Sequence, residues 1–152
     1  MKNKKLFLNI EQALFLQKIG VDMQGAAYWY GKTDDNKDYE ILPYSSYMDV
    51  LIKSDIYKDQ YLPTFCLQEC MAALPKEIIF DGKKCFLSID YWNYAFGYNC
   101  VNKEENISYT VAQRNFTDED ILDAAYEFLT MVTEMINRGE WSVPEDSENH
   151  EL

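Results

Sequence analysis

Histidine is almost missing from this sequence, and its single instance, His150, falls among the last few of 152 residues. That scarcity removes the usual general base near neutral pH, the commonest zinc ligand and the partner of most nucleophilic serines and cysteines. Glycine is sparse too, six residues in all, and no Walker-type loop or Gly-rich dinucleotide fingerprint occurs. The four cysteines include no Cys-x-x-Cys pair, which argues against the familiar redox motif and the zinc knuckle. No apolar run reaches the length of a membrane span. Leu6, Phe7 and Leu8 follow basic residues as a signal peptide would, but Asn9, Glu11 and Gln12 interrupt at once and no small-residue cleavage site follows. A cytoplasmic location is the resulting expectation, with Cys66, Cys70, Cys85 and Cys100 as reduced, buried thiols.

Positive charge is the other shortage. Lysine and arginine number 14 against 26 acidic residues, a net charge of −12. The imbalance is concentrated: residues 101–152 hold 3 basic and 13 acidic groups, whereas 1–100 hold 11 and 13. Such a surface repels phosphate backbones and anionic lipid, so neither direct nucleic-acid binding nor membrane binding is expected.

Aromatic residues are plentiful, with 12 Tyr, 8 Phe and 3 Trp. The clearest single pattern runs from Thr117 to Gly139. Ile121, Ala125, Phe128, Val132 and Met135 recur at spacings of four and three, flanked by Leu122, Leu129 and Ile136, while Asp123, Glu127, Thr130, Glu134 and Asn137 form a polar stripe. This spacing predicts a long helix, opened by Thr117 and three acidic residues and closed at Gly139. Upstream, Asn9 and Gln12 form a capping-box pair ahead of a short helix in which Ile10 and Leu14 face inward. Residues 26–31 and 39–42 suit a hairpin, 46–52 a short helix, 53–61 a loop, and 67–74 another short helix ended by Pro75.

Three alternating segments then follow the turn pair Asp81-Gly82. Cys85, Leu87, Ile89 and Tyr91 form one apolar set, Tyr94, Phe96, Tyr98 and Cys100 a second, Ile107, Tyr109 and Val111 a third. They predict consecutive antiparallel strands. The expected fold is a single α+β domain over residues 1–141. In it an antiparallel sheet of about five strands is covered on one face by a long C-terminal helix, with two or three short helices beside it. Residues 142–152 are expected to be a disordered acidic tail.

Three pieces of the chain together resemble a known group. They are Asn9–Met23, ending Ile-Gly-Val-Asp-Met; Leu62–Ile78, containing Leu-Pro-Thr-Phe-Cys-Leu-Gln-Glu-Cys-Met; and Leu122–Trp141, opening Leu-Asp-Ala-Ala-Tyr-Glu. In this order they resemble small uncharacterised proteins of gut anaerobes and their prophages or other mobile elements. This chain departs from that pattern at Cys66, where the group tends to carry Ser or Thr, in a longer 53–60 region and in the acidic tail. The resemblance implies a mobile-element or accessory origin. It carries no activity and no functional residues.

Chemistry would have to come from carboxylates, lysine or tyrosine. Glu69 and Glu77 flank the Pro75 turn and Asp90 sits near Trp92; two carboxylates at suitable separation could serve glycoside hydrolysis. Nothing in the pattern separates them from ordinary surface charge, so no catalytic residue is assigned. Four converging thiolates could hold zinc, but small apolar core residues explain the cysteines better, and no metal or cofactor is expected. The stronger candidates are Tyr28, Trp29, Tyr30 and Trp92, aromatic residues that would favour a protein interface if left at the surface. The expected function is a non-catalytic cytoplasmic module binding an unknown protein partner, with self-association as a further use of the same surface. Two alternatives stand beside it: an acidic decoy occupying a host protein's nucleic-acid site, and a small-molecule binder or enzyme using carboxylates near the aromatic cluster.

Overall fold

The computed structural model describes residues 5–32, 38–102 and 104–144. The chain groups into two compact units, Met1–Glu69 and Cys70–Leu152, each built round its own antiparallel sheet. The α+β class expected from the sequence holds. The single sheet of about five strands does not: among the described residues there are two sheets, of three and four strands.

In the first unit, α1 (Ile10–Lys18) begins at a complete capping box. Asn9 Oδ1 accepts from the Gln12 backbone N–H at 2.8 Å, and Gln12 Oε1 accepts from the Asn9 N–H at 3.0 Å. Ala13 and Leu16 are its buried residues, and Leu14, expected inward, is exposed. Strand β1 (Tyr28–Gly31) lies between β2 (Glu40–Pro43) and β3 (Tyr61–Thr64). β3 is the strand the sequence hid. Pro63 suggests only an extended approach, since proline cannot donate to a ladder, yet it is tolerated in β3 because this is an edge strand, where it stands opposite Trp29. The hairpin therefore completes itself within its own unit.

Two further hydrogen bonds tie the unit together, both to the Leu8 carbonyl. Tyr30 Oη donates at 2.6 Å and Thr64 Oγ1 at 2.9 Å. Between β2 and β3 the chain forms α2 (Ser46–Ile52), capped by Ser45, and a 3-10 turn over Lys58–Gln60 where loop was expected. Helix α3 (Leu67–Ala73) then leads into the second unit.

There the chain folds as a meander of β4 (Glu77–Phe80), β5 (Lys83–Asp90), β6 (Ala95–Asn102) and β7 (Ile107–Asn115). The Asp81-Gly82 turn has both residues at positive φ, as a tight hairpin requires. Pairing along β6–β7 shifts between Tyr98 and Asn99, because Tyr98 faces Ala112 while Asn99 faces Thr110. Val111 is the extra residue of a β-bulge. Beyond it the alternation inverts. Ala112 shares the face of Tyr98, and Arg114 that of Phe96, where the simple alternation had placed Ala112 outward.

Helix α4 (Ile121–Asn137) covers that face. Phe128, 1% exposed, stacks on Tyr98 at 5.7 Å and Phe96 at 6.2 Å between ring centroids. Leu122, Ala125, Leu129 and Val132 are buried with it, as the stripe predicted. The helix starts a turn later than expected. Thr117 and Asp120 bind each other instead, Thr117 Oγ1 accepting from the Asp120 N–H at 3.2 Å and donating to its carboxylate at 3.0 Å. Residues 142–144, assigned above to the tail, are tied down. Ser142 pairs with Ile79 through two backbone hydrogen bonds, Pro144 is buried, and the neighbouring Trp141 packs on Tyr98 and Phe80. The remainder, 145–152, and the candidate turn at 33–37 lie outside the described residues. Among those described, no helix is long and apolar enough to cross a membrane.

Candidate functional site

Three of the four aromatic candidates stand on β1 in the first unit and do not share one role. Trp29 is a correction: it is 3% exposed, with its indole Nε1 donating to the Ala26 carbonyl at 3.0 Å and its ring beside Tyr44. Of the three it is the one whose side chain the alternation of β1 sends inward, so it is core. Tyr30 is half-buried with its hydroxyl held by Leu8, and burial raises its pKa. Tyr28 is partly exposed but leans on Phe7 at 4.9 Å.

Trp92 is different. It is 90% exposed on the turn between β5 and β6, the four residues Tyr91–Tyr94. The turn itself is well fixed. Asp90 Oδ1 accepts from the backbone N–H groups of Trp92 (2.9 Å) and Asn93 (3.1 Å), and Oδ2 accepts from the Asn93 side-chain amide at 2.7 Å. These bonds, led by those from Asn93, hold the Asp90 carboxyl below its ordinary value against the opposing effect of burial. Tyr94 sits at φ 52°, a left-handed conformation that is costly for a bulky residue. Its carbonyl accepts from the Phe116 N–H at 2.8 Å, and the rings of Tyr91 and Tyr94 both meet Phe116 edge-on. Two of the turn's aromatic rings are thus braced, and the third projects.

The other carboxylate candidates are structural or isolated. Glu69 Oε1 accepts from the Cys66 N–H at 3.1 Å at the start of α3, and Oε2 from the Ala27 N–H at 3.1 Å. Glu77 lies in β4 opposite Phe86. The cysteines do not converge four-fold. Cys85 and Cys100 are opposite each other across β5 and β6, both buried, and burial with the neighbouring Cys100 pushes the Cys85 thiol up to about 11. Among the described residues no group of three or more His, Cys, Asp or Glu side chains could hold a metal; His150 lies outside them.

Sequence reasoning missed a hollow on the open face of the four-stranded sheet. Three cross-strand rows frame it, Asn99–Thr110, Ser88–Gly97–Gln113 and Asp90–Ala95–Asn115, with Asn93 of the β5–β6 turn also in its lining. The middle strand presents Ala95 and Gly97, which have almost no side chain, between polar neighbours on either side. The result is a cavity of about 400 Å³ with a backbone floor and a rim of amides, hydroxyls and one carboxylate. A Cβ at Gly97 would meet the Ala112 carbonyl oxygen at 3.0 Å, so the close approach of the two strands favours glycine there. The rim groups are ordered by one another: Thr110 Oγ1 donates to Asn99 Oδ1 at 2.9 Å, and Gln113 Nε2 to Asn115 Oδ1 at 2.9 Å. The signal was present as two small residues at successive outward positions of a central strand, but the bulge at Val111 concealed which β7 residues joined them. Asp90 is the sole titratable side chain lining the cavity, so its walls offer no acid–base pair.

No family model, curated protein or solved structure matches this chain.

Proposed function

We propose that this chain is a non-catalytic binding module that holds a protein partner through the turn at residues 91–94. The supporting observation is the placement of Trp92, an almost fully exposed indole on a turn held by four carboxylate and backbone hydrogen bonds. An aromatic anchor on a rigid support loses little entropy on binding, and tryptophan is among the residues most often responsible for interface affinity. The reading includes a cytoplasmic, accessory setting and no direct contact with nucleic acid. Self-association would use the same turn.

The test is affinity capture from the native host with wild-type protein and Trp92→Ala side by side, followed by measurement of each captured complex. A partner held through the turn stays bound above about 0.2 M salt, where exposed ionic contacts are screened, and is lost with Trp92→Ala at a cost of about 2 kcal/mol or more. Binding that survives Trp92→Ala but collapses with salt would overturn this reading in favour of the acidic decoy.

A further inference from the structure

We infer that the hollow over Ala95 and Gly97 is a binding site for a neutral polyhydroxylated ligand, a saccharide or sugar-like polyol, bordering the turn proposed for a protein partner and sharing Asp90 and Asn93 with it. The cavity's chemistry selects the class. At about 400 Å³ it falls within the size range of small-ligand pockets, roughly 300–1,000 Å³. Its lining contains no lysine, arginine or histidine, so an anionic ligand finds no counter-charge, and Asp90 repels it. Its floor is backbone and its walls are polar, so an apolar ligand would strip water from amides and hydroxyls without replacing their hydrogen bonds.

The rim suits alternating hydroxyl groups. In the Gln113–Asn115 pair, Gln113 Oε1 and Asn115 Nδ2 take no part in the mutual bond, so one rim edge presents an acceptor beside a donor. In the Thr110–Asn99 pair, Asn99 Nδ2 is a second such donor. Ser88 supplies a hydroxyl from β5, in register with Gly97 and Gln113. Asp90, kept ionised by its turn bonds, is an acceptor matched to a hydroxyl rather than a proton donor. A hydroxyl both donates and accepts, and a sugar ring carries several in a plane, the arrangement this flat-floored hollow meets. Because most of these side chains are already positioned by one another, ligand binding orders few new rotors.

The experiment is a titration of the full chain, uniformly labelled with nitrogen-15, with neutral tetrasaccharides differing in linkage and sugar (cellotetraose, maltotetraose, xylotetraose and chitotetraose). A glucuronate oligomer serves as the anionic comparator. At least one neutral probe should shift the side-chain amide signals of Asn99, Gln113 and Asn115 saturably. Gln113→Ala, an exposed change that spares the fold, should weaken that probe about tenfold, the value of one well-formed hydrogen bond. Trp92→Ala should leave its affinity within about threefold. The inference is overturned if no neutral probe shifts these amides up to about 10 mM, a dissociation constant beyond useful affinity. It is equally overturned if the glucuronate oligomer binds more tightly, or if Gln113→Ala is neutral while Trp92→Ala abolishes binding, which would place the sugar on the turn.

Discussion

The two faces of the four-stranded sheet are built from the same strands and have opposite characters. Toward α4 the central strand offers Phe96, Tyr98 and Cys100, all essentially buried. Toward the other side the same strand offers Ala95, Gly97 and Asn99, with polar residues of β5 and β7 on either hand. One face is closed by large rings stacked on Phe128, the other hollowed by the absence of side chains at its centre. Apolar area drives the first to completion, whereas the second keeps exposed hydrogen-bonding groups at its rim. If the proposed ligand site holds, stability and recognition lie on opposite sides of one sheet.

The largest effect expected from this division is at Phe128. Phe128→Ala removes a fully buried ring from the centre of the covered face and should cost about 3–5 kcal/mol. That is a large share of a domain stability of roughly 5–15 kcal/mol, so the melting temperature should fall sharply. Its neighbour Glu127 pairs with Arg114 at 2.7 Å in a half-exposed position, so Glu127→Ala should cost no more than about 1 kcal/mol. Chemical denaturation of both variants decides the matter. If Phe128→Ala were as mild as Glu127→Ala, the covered face would not be the stabilising one.

A middle-sized effect comes from Cys85, buried on the covered side. Its pKa is pushed from the ordinary thiol range up to about 11, so the folded protein keeps a proton that the unfolded chain releases at about 8.5. Between those values the folded state binds more protons, and stability must fall as pH rises, by at most about 1.4 kcal/mol per pH unit from this group. Melting curves of the wild type should decline through that window, and Cys85→Ala should decline less steeply. Native alkylation near pH 8 should spare Cys85 and begin at half-buried Cys66. Rapid labelling of Cys85 would show the covered face to be open.

The covered face was largely readable from the chain and the open one was not. Period-3.6 spacing marked Phe128, Leu129 and Val132 as buried, and alternation marked Phe96, Tyr98 and Cys100, because burial of large apolar groups leaves a periodic trace. Three local features broke that trace. Pro63 disguises an edge strand, so the N-terminal hairpin and the later meander read as one sheet. Val111, a single extra residue, inverted β7 and hid the placement of Gln113 and Asn115 beside Gly97. Trp29 stands among the surface candidates because a Tyr-Trp-Tyr run does not say which ring points inward. The hollow depends on what the chain omits at Ala95 and Gly97, and an omission has meaning only once the flanking strands are in register.

The smallest effect, and the finest test of the contrast, concerns Asp90. It is the one charged group of the hollow and also the pin of the Trp92 turn, so its charge links the candidate ligand site to the candidate partner surface. Its folded pKa is lowered, chiefly by the Asn93 hydrogen bonds. The stabilisation it supplies is therefore fully present above the unfolded value of about 3.9 and disappears as pH falls through the lower folded value. Asp90→Asn keeps one acceptor oxygen for the turn amides but loses the charge. The melting-temperature gap between wild type and variant should be small and constant from about pH 7 to pH 5, and should close below about pH 4. Acrylamide quenching of tryptophan supplies a local reading, since Trp29 and Trp141 are buried and Trp92 is not. A gap unchanged at low pH would mean that the carboxylate's charge does not hold the turn. The rigidity of Trp92 would then have to rest on the Tyr94–Phe116 backbone bond and the two rings braced against Phe116, all of them on the aromatic side of the contrast.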